Sequence, residues 1–381
     1  MASSDSTSTQ GPLAGVKVVD FTLFLSGPFA TQILGDLGAE VIKIESPEGD
    51  MSRVIPPSFV DGSSTYFGST NRNKKSVVLD LKTEQGKESL RSLIRDADVL
   101  MEGYRPGTMA RLGFDYAAAA TINPRIVYLS ISGFGQTGPY RDRPAHDLSY
   151  QALAGLLSRQ AKTGRIEAPP DLAIGDLSSA MFALTGMLSA LLRRERTGQG
   201  AYIDVSMTDC LVSLMTTMLA PRMNGMNEGF VNDEPGYGTF ECADGKLLTL
   251  SIAHEDWFWQ PLCPLLGMDD VAALRHPERV AEQTVLRARI TAALKHRSRE
   301  EWGAELDRAG IPWGAVNSLE EVVADEHFRH RGMFRQVARN DGGSSWHVAQ
   351  PLVFGGFHPG PLTDVSPLGA DTDAVLANHK R

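Results

Sequence analysis

Asp176 is the residue whose place in the sequence best suits chemistry. It stands at the expected start of a long apolar helix, from about 177 to 196, which Gly198 ends. Asp is also a good N-cap, so the carboxylate could serve only the helix. The helix dipole would hold it ionised and hydrogen-bonded. An ionised carboxylate in such a position can act as a nucleophile or as a general base.

His146 and Glu241 are two further candidates for proton transfer. His146 lies in the segment PAHDLSY, just before an apolar helix, and a lone His is more often structural than catalytic. Glu241 lies between Phe240 and Cys242 and precedes a turn. We expect this acid to be partly buried, which would raise its pKa. Each residue alone is weak evidence for a site.

Several basic residues fall at predicted loop positions between the elements of the first half. Arg and Lys at such places can bind the phosphates of a ligand. Any one of them is more simply a solvated surface residue, so the prediction rests on the set. The set comprises Arg53, Arg72, Lys74, Lys75, Lys82, Arg105 and Arg111.

Two common nucleotide motifs and a metal site are not indicated. The first predicted turn reads FTLFLSGPFA and lacks GxGxxG, so its backbone cannot closely approach a pyrophosphate. The loop GFGQTGP lacks the GK[ST] of a P-loop. The three cysteines form no CxxC pair, and no Cys or His cluster has the spacing of zinc ligands. We therefore expect neither a dinucleotide nor a metal.

Strand-like and helix-like segments alternate through the first half of the chain. Residues 16–21 and 40–45 are apolar and strand-like, with a helical stretch at 29–37 between them. The same order recurs with an amphipathic helix at 84–96 and strands at 99–102 and 126–131. This βαβ order predicts an α/β fold with a parallel sheet.

The length of 381 residues predicts two domains. We expect a polar, disordered tail at 1–10, and a large domain at 11–222 to which 335–381 returns. A Gly- and Asn-rich linker and a small domain would occupy 223–334.

The bulk composition predicts a cytoplasmic protein that binds neither nucleic acid nor membrane. A net charge of −9 argues against nucleic-acid binding. No apolar run reaches the roughly 18 residues of a membrane span, and the polar start does not resemble a signal peptide. The cysteine usage fits a reducing compartment.

Several long segments together resemble the family III CoA-transferases, a group that includes formyl-CoA transferase and alpha-methylacyl-CoA racemase. The resemblance spans about residues 11–355. It implies a Rossmann-like large domain, a smaller α+β domain, and two subunits interlocked as rings in a homodimer, with the active site at the domain and subunit boundary. The matching segments are DFTLFLSGPFATQILGDLGAEVIKIESPEGD, NRNKKSVVLDLKTEQGK, DVLMEGYRPGTMARLGF, NPRIVYLSISGFGQTGPY, GDLSSAMFALTGMLSALLRRERTGQGAYIDVSM and GIPWGAVNSLEEVVADEHFRHRGMF.

The resemblance also implies roles for particular residues. Asp176 matches the aspartate that attacks the acyl-CoA thioester in the transferases and forms a mixed anhydride. Ser46 departs from formyl-CoA transferase, which has an arginine there, so contacts at the adenine end must differ. No permanently bound cofactor is implied, because CoA thioesters are the substrates. The positions expected near CoA are Leu79, Lys82, Gly103, Tyr104, Arg105, Arg111 and His146.

Three functions remain open at this point. Transfer of CoA from an acyl-CoA to a carboxylic acid is favoured slightly, because the N-terminal third looks more like the transferases. An alpha-methylacyl-CoA racemase would use His146, helped by Glu241, and Asp176 on opposite faces of the acyl Cα. An inactive CoA-binding partner subunit is the third, and the retained Asp176 counts against it.

Overall fold

A computed structural model describes residues 11–58, 62–160, 171–226, 233–339, 341–355, 357, 359–360 and 362–379. The chain forms two compact units. Unit 1 comprises Met1–Thr216 together with Phe328–Arg381, and unit 2 comprises Thr217–His327. Both units contain sheet and helix, so the predicted α/β class is confirmed.

The strands form three sheets in the described part of the chain. Six parallel strands run in the order β3-β2-β1-β4-β5-β6, which is the order of a Rossmann-like sheet. Strands β7, β8 and β9 form an antiparallel sheet in unit 2, and β10 and β11 form a hairpin in unit 1. The strands are β1 Lys17–Phe21, β2 Glu40–Glu45, β3 Lys74–Val78, β4 Val99–Glu102, β5 Val127–Ser132, β6 Ala201–Ser206, β7 Tyr237–Glu241, β8 Leu247–Ser251, β9 Trp313–Ala315, β10 Phe334–Ala338 and β11 Ser344–Val348.

Helices connect these strands, and helices of unit 1 cover both faces of the parallel sheet. The helices are α1 Ser26–Asp36, α2 Thr65–Asn71, α3 Glu84–Asp96, α4 Thr108–Leu112, α5 Tyr116–Ile122, α6 Asp147–Leu153, α7 Leu156–Gln160, α8 Ile174–Thr197, α9 Met207–Leu214, α10 Thr216–Met223, α11 Asp256–Leu265, α12 His276–Ala281, α13 Gln283–Leu294, α14 Arg299–Ala309, α15 Leu319–Ala324, α16 Glu326–His330 and α17 Thr372–Asn378.

The two faces of the parallel sheet carry separate hydrophobic cores. Val18 and its neighbour in the sheet, Val41, face α1 and α8, whereas Val19 and Ile42 face the other side, with α3 and α5. Successive strand residues point to opposite faces, and here both faces are buried. This explains why adjacent strand residues such as Val18 and Val19 are both apolar, in place of a strict alternation of apolar and polar residues.

Helix α8 is the long helix that carries Asp176. It is apolar enough, by length and composition, to cross a membrane, with a mean hydropathy of 1.3 over its most apolar window. Half of that window is buried inside the protein, and the helix packs against α1, α9, β5 and β6. A core helix passes the same test of composition, and α8 has the contacts of one. It ends at Gly198, in the left-handed conformation at φ 72°.

Unit 2 has its own core between the antiparallel sheet and helices α11, α13 and α14. Trp259, Leu248, Leu286 and Leu306 are fully buried in it. Strand β9 lies in the segment GIPWGAV and pairs with β8, so this segment completes the small sheet.

Candidate active site

A cleft of about 840 Å³ lies in unit 1, where the strands of the parallel sheet end. Strand β1 has β2 on one side and β4 on the other, so the chain changes direction across the sheet at this strand. Ligands of open α/β sheets bind outside the carboxyl ends of the strands, at such a switch point. Residues that follow β1, β4 and β5 line the cleft, together with residues of α6 and the first turn of α8.

Asp176 lines this cleft from the first turn of α8. The helix begins at Ile174 with Ala173 as its N-cap, so the interpretation of Asp176 as the N-cap is wrong. The backbone N–H groups of Gly175 and Asp176 donate instead to Oδ1 of Asp147, at 2.7 and 3.1 Å. The cap of α8 therefore comes from a residue of another helix.

The pKa of Asp176 follows from this arrangement. Burial and, secondly, the charge of Asp147 raise the pKa of Asp176 from 3.8 to about 7. The expectation that the helix N-terminus would hold this carboxylate ionised and hydrogen-bonded is therefore wrong. In the part of the chain that the structure describes, no side chain donates a hydrogen bond to its oxygens. Such a carboxylate can act as a nucleophile or a base near neutral pH.

Buried charges hold one wall of the cleft, the loop that follows β1. Asp20 accepts hydrogen bonds from the backbone N–H and the hydroxyl of Thr22, and Lys74 lies 3.0 Å from its Oδ2. Lys43 donates to the Thr22 carbonyl at 2.8 Å. Burial acts to raise the pKa of Asp20, but the charges of Lys74 and Lys43, together with the hydroxyls of Thr22 and Thr31, outweigh it and lower the pKa to about 2. The loop therefore leaves the sheet in a fixed direction.

The same loop is tied to the helix that carries Asp176. The hydroxyls of Ser26, at the start of α1, and Ser179, in α8, lie 2.7 Å apart. Phe24 stands between these anchors with a φ of 64°, which is uncommon for a residue other than glycine, and its side chain is 46% exposed. An aromatic ring in a constrained conformation thus borders the cleft.

The wall that follows β5 depends on a glycine. Tyr150, on α6, is buried, and its hydroxyl donates to the carbonyl of Ala145 at 3.0 Å. A Cβ atom at Gly133 would overlap the Tyr150 hydroxyl, so only glycine fits there. Burial and the charges of Asp176 and Asp147 raise the pKa of Tyr150 to about 12.

The structure brings together most of the residues predicted to contact CoA. Gly103, Tyr104, Arg105, Arg111 and His146 all line the cleft. The backbone N–H of Tyr104 donates to Glu102 at 2.8 Å, which fixes the start of this loop. Arg105 and Arg111 are exposed and offer cations to a ligand.

Two predicted contact residues do not line the cleft. Leu79 is buried in the core on the α3 side of the sheet, and Lys82 is an exposed surface residue. Their contact with CoA stays a prediction.

Some of the predicted loop cations are structural. Arg72 is buried and forms two hydrogen bonds with Asp36, at 3.0 and 2.6 Å. Lys74 is buried on β3, and Arg53 pairs with Glu45 at 2.7 Å. For these three, the interpretation as surface cations on loops is wrong, because their charges hold the core of unit 1 together.

His146 and Glu241 have different surroundings. His146 is exposed on the cleft and is the N-cap residue of α6. Glu241 belongs to unit 2, at the end of β7. Its side chain is 51% exposed and lies 3.2 Å from Lys295, so the expected burial is wrong.

Several residues of the cleft are not among the predicted site residues. Asp147 is one of them, although it follows His146 directly. Tyr66 on α2 also lines the cleft, as do Arg141 and Arg143. The basic segment RDRP just before His146 was the available signal for the two arginines.

Comparison with known proteins identifies the family. A family model for CoA-transferase family III matches residues 13–372. The chain is 38% identical to an acetyl-CoA:oxalate CoA-transferase of Acetobacter aceti over 82% of this chain and 83% of that protein. It is 32% identical to a succinate–glutarate CoA-transferase of Agrobacterium fabrum over 92% and 91% of the two chains. The chain belongs to CoA-transferase family III.

A solved structure agrees with this assignment. A CaiB/BaiF family protein from Brucella suis superimposes with a TM-score of 0.86 at 32% identity, covering 97% of this chain and all of that one. The predicted family III fold and the expectation of an enzyme are therefore confirmed. CoA-transferases take CoA thioesters as substrates, which is consistent with a large cleft bordered by arginines. Among the described residues, no group of three or more His, Cys, Asp or Glu side chains could hold a metal ion.

Proposed function

We propose that this family III enzyme moves CoA from an acyl-CoA donor to a carboxylic acid acceptor, with Asp176 as the nucleophile. The observation that carries the proposal is the carboxylate of Asp176 in the cleft at the switch point of the sheet, with a pKa raised to about 7. The names of the relatives, which pair acyl-CoA donors with oxalate or glutarate, support an acid as acceptor.

The first step forms an anhydride on the enzyme. A carboxylate oxygen of Asp176 bonds to the thioester carbonyl carbon, the C–S bond breaks, and CoA leaves as the thiolate. The acceptor carboxylate then attacks the aspartyl carbonyl carbon of this anhydride, the donor acid leaves as its carboxylate, and a second anhydride now joins Asp176 to the acceptor. The thiolate finally attacks the acceptor's acyl carbon, which releases the new thioester and restores the Asp176 carboxylate. No bound cofactor is needed, because the anhydride preserves the energy of the thioester.

The cleft residues have distinct proposed roles in binding CoA. Arg105 and Arg111 would pair with its phosphates, because guanidinium groups bind phosphate oxygens through two parallel hydrogen bonds. Gly103 lies in the loop that follows β4, at a point where there is room beside the backbone. A Cβ atom there would come no closer than 3.6 Å to any residue other than its two neighbours in the chain. Tyr104 and His146 would complete this side of the site.

A racemase remains a second candidate, because His146 and Asp176 line the same cleft. In that reaction one of these groups removes the Cα proton of a 2-methylacyl-CoA and the other returns a proton from the opposite face. Glu241 would assist His146. This alternative needs no acceptor acid and forms no covalent intermediate.

One experiment separates the two reactions. The purified enzyme is incubated in buffered D2O with a chiral 2-methylacyl-CoA alone. A parallel incubation contains succinyl-CoA or acetyl-CoA with oxalate, glutarate or other free acids. Mass spectrometry follows deuterium at Cα and the appearance of new thioesters. Hydroxylamine attacks the aspartyl carbonyl of an anhydride at Asp176 and leaves a hydroxamate adduct, and borohydride reduces the same carbonyl to an alcohol. The same incubations are repeated with Asp176→Ala and His146→Ala.

For a transferase we expect new thioesters that require the acceptor and disappear in Asp176→Ala, an adduct trapped at Asp176, and no exchange at Cα. Deuterium uptake with loss of chirality, without an acceptor or an adduct, would establish the racemase. Full activity of Asp176→Ala in both incubations would refute both schemes.

We also propose that the enzyme is a homodimer, as the family resemblance implies. Apolar side chains lie exposed on the outer surface of two helices of unit 1, which is costly for a lone subunit in water. Sedimentation equilibrium should give twice the 41.3 kDa mass of the chain. These side chains are Met181, Phe182 and Leu192 of α8, and Val212 and Leu214 of α9.

We place the enzyme in the cytoplasm. Cys210, Cys242 and Cys263 are all buried and unpaired. Proteins without disulfides are typical of reducing compartments. Fractionation of the native host with an antibody against the chain tests this placement.

A further inference from the structure

Asp147 belongs to α6, yet it caps the start of α8. Its Oδ1 accepts both the Gly175 N–H, at 2.7 Å, and the Asp176 N–H, at 3.1 Å. Its Oδ2 accepts a hydrogen bond from Nε2 of Gln151, which also donates to the Leu172 carbonyl at 3.2 Å. One carboxylate therefore connects the backbone of the proposed nucleophile to a neighbouring helix.

The fit around this contact is tight. A Cβ atom at Gly175 would lie 2.7 Å from Oδ1 of Asp147, so a side chain there would push the cap away. The second and third residues of α8 are Gly175 and Asp176, whose N–H groups are the ones that a capping side chain takes. With Asp147 in place, neither of these N–H groups is available to the Asp176 carboxylate.

We propose that Asp147 is a positioning residue for Asp176: it fixes the first turn of α8 and keeps the helix N-terminal donors away from the nucleophile's carboxylate. This inference rests on the proposed function of Asp176. A carboxylate at a helix start is normally stabilised by the dipole and the free N–H groups. Here those groups face another anion, so Asp176 has less stabilisation to lose when its oxygen attacks a carbonyl carbon.

The charged and titratable groups around Asp176 are consistent with this role. From α6, Asp147 and Tyr150 interact electrostatically with it, and from α2, Tyr66 does so. Arg105, exposed after β4, acts on Tyr150. Asp147 is the one charged group in the described structure that acts on the pKa of Asp176, and it raises that pKa together with burial.

Asp147→Asn is the sharpest perturbation, because it removes the charge and keeps the shape. The asparagine Oδ1 can still accept the two backbone N–H groups, while its NH2 group would face Nε2 of Gln151. Among the described residues, the buried Oε1 of Gln151 has no hydrogen-bond partner, so a flip of that amide supplies an acceptor. Asp147→Ser, a neutral cap with a hydroxyl acceptor, is the second variant if the first does not fold.

The first readout does not depend on the reaction. The carboxyl carbon of Asp176 is followed by NMR in protein labelled with [4-¹³C]aspartate, and its signal is assigned by its loss in Asp176→Asn. We expect the titration midpoint to fall by about one pH unit in Asp147→Asn, since a like charge has been removed. Asp171→Asn, which removes an exposed acid near the start of the same helix, should leave the midpoint unchanged.

The second readout is the pH dependence of kcat/KM for transfer. A midpoint lowered from about 7 to about 6 raises the ionised fraction roughly fivefold at pH 6 and barely changes it at pH 8. The ratio of variant to parent activity should therefore be roughly fivefold higher at pH 6 than at pH 8, whatever the loss of intrinsic reactivity.

An unchanged NMR midpoint, with only a lower melting temperature, would overturn the proposal and leave Asp147 as a structural cap. A lowered NMR midpoint, together with the higher ratio of variant to parent activity at pH 6 than at pH 8, would support the proposal. If the midpoint shifts but Asp176→Ala still transfers CoA, the positioning stands and the proposed function fails, so the two failures are distinguishable.

Discussion

Asp176→Asn should stabilise the folded protein while it abolishes transfer, and the gain should grow with pH. Burial and Asp147 raise the pKa of this carboxyl from 3.8 in the unfolded chain to about 7 in the fold. Between these values the native state holds a proton that the unfolded state has lost. Raising the pH through this window therefore lowers the free energy of unfolding, and above pH 7 the full penalty is present. The neutral asparagine never incurs it.

The magnitude follows from the two pKa values. The difference between a pKa of 3.8 in the unfolded chain and about 7 in the fold corresponds to an upper limit of about 4 kcal/mol at pH 8. At pH 5 the penalty is only about 1.7 kcal/mol, because the native carboxyl is still protonated. The gain from Asp176→Asn should thus be about 2–3 kcal/mol larger at pH 8 than at pH 5. Contributions of the asparagine itself are independent of pH and cancel in this difference.

Urea unfolding of parent and variant at pH 5 and pH 8 measures the difference, with a probe in unit 1 such as the near-ultraviolet signal of its tyrosines. Asp171→Asn is the control, since this acid is exposed and lies close to the start of α8. Its unfolding should depend on pH as in the parent. An equal gain from Asp176→Asn at both pH values, or no gain at pH 8, would show that the carboxyl is not held in an unfavourable environment.

Three further outcomes are expected. Gly133→Ala, whose Cβ would overlap the Tyr150 hydroxyl, should lower the free energy of unfolding by about 1–3 kcal/mol and raise KM for the acyl-CoA, measured by denaturation and steady-state kinetics. Arg72→Met leaves the carboxylate of Asp36 buried without its cation, so unfolding should become easier by about 3–5 kcal/mol; a change below 1 kcal/mol would contradict the buried pair. Glu241→Gln breaks only an exposed ion pair, so it should change the melting temperature little, and a transferase should keep its activity.

The fold was largely predictable because the parallel sheet is buried on both faces. Strands β2 and β4 and helix α3 begin and end where the sequence predicts, since short segments rich in apolar residues and an amphipathic helix each leave a clear pattern. The start of strand β3 leaves no such pattern. It begins at Lys74, a charged residue that is buried against Asp20, and hydrophobicity gives no signal for a buried ion pair.

The candidate site was predictable only in part, because its residues come from separate segments. The loops after β4 and β5 could be expected at one edge of the sheet, since the carboxyl ends of parallel strands meet there. The contacts that individual side chains make with each other could not be predicted from the sequence. Asp147 and Asp176 are 29 residues apart, and no local pattern shows that one carboxylate caps the helix of the other.

The start of α8 shows why this missing contact affects the expected chemistry. A helix that began after Asp176 would make this residue its own N-cap, with the carboxylate held ionised by the N–H groups and the dipole. The helix instead begins at Ile174, and the cap comes from Asp147. Asp176 therefore lies in the first turn of α8, next to the Asp147 carboxylate, and its pKa is raised to about 7. A shift of three residues in the helix start thus changes a weakly basic structural carboxylate into one suited to attack a thioester near neutral pH.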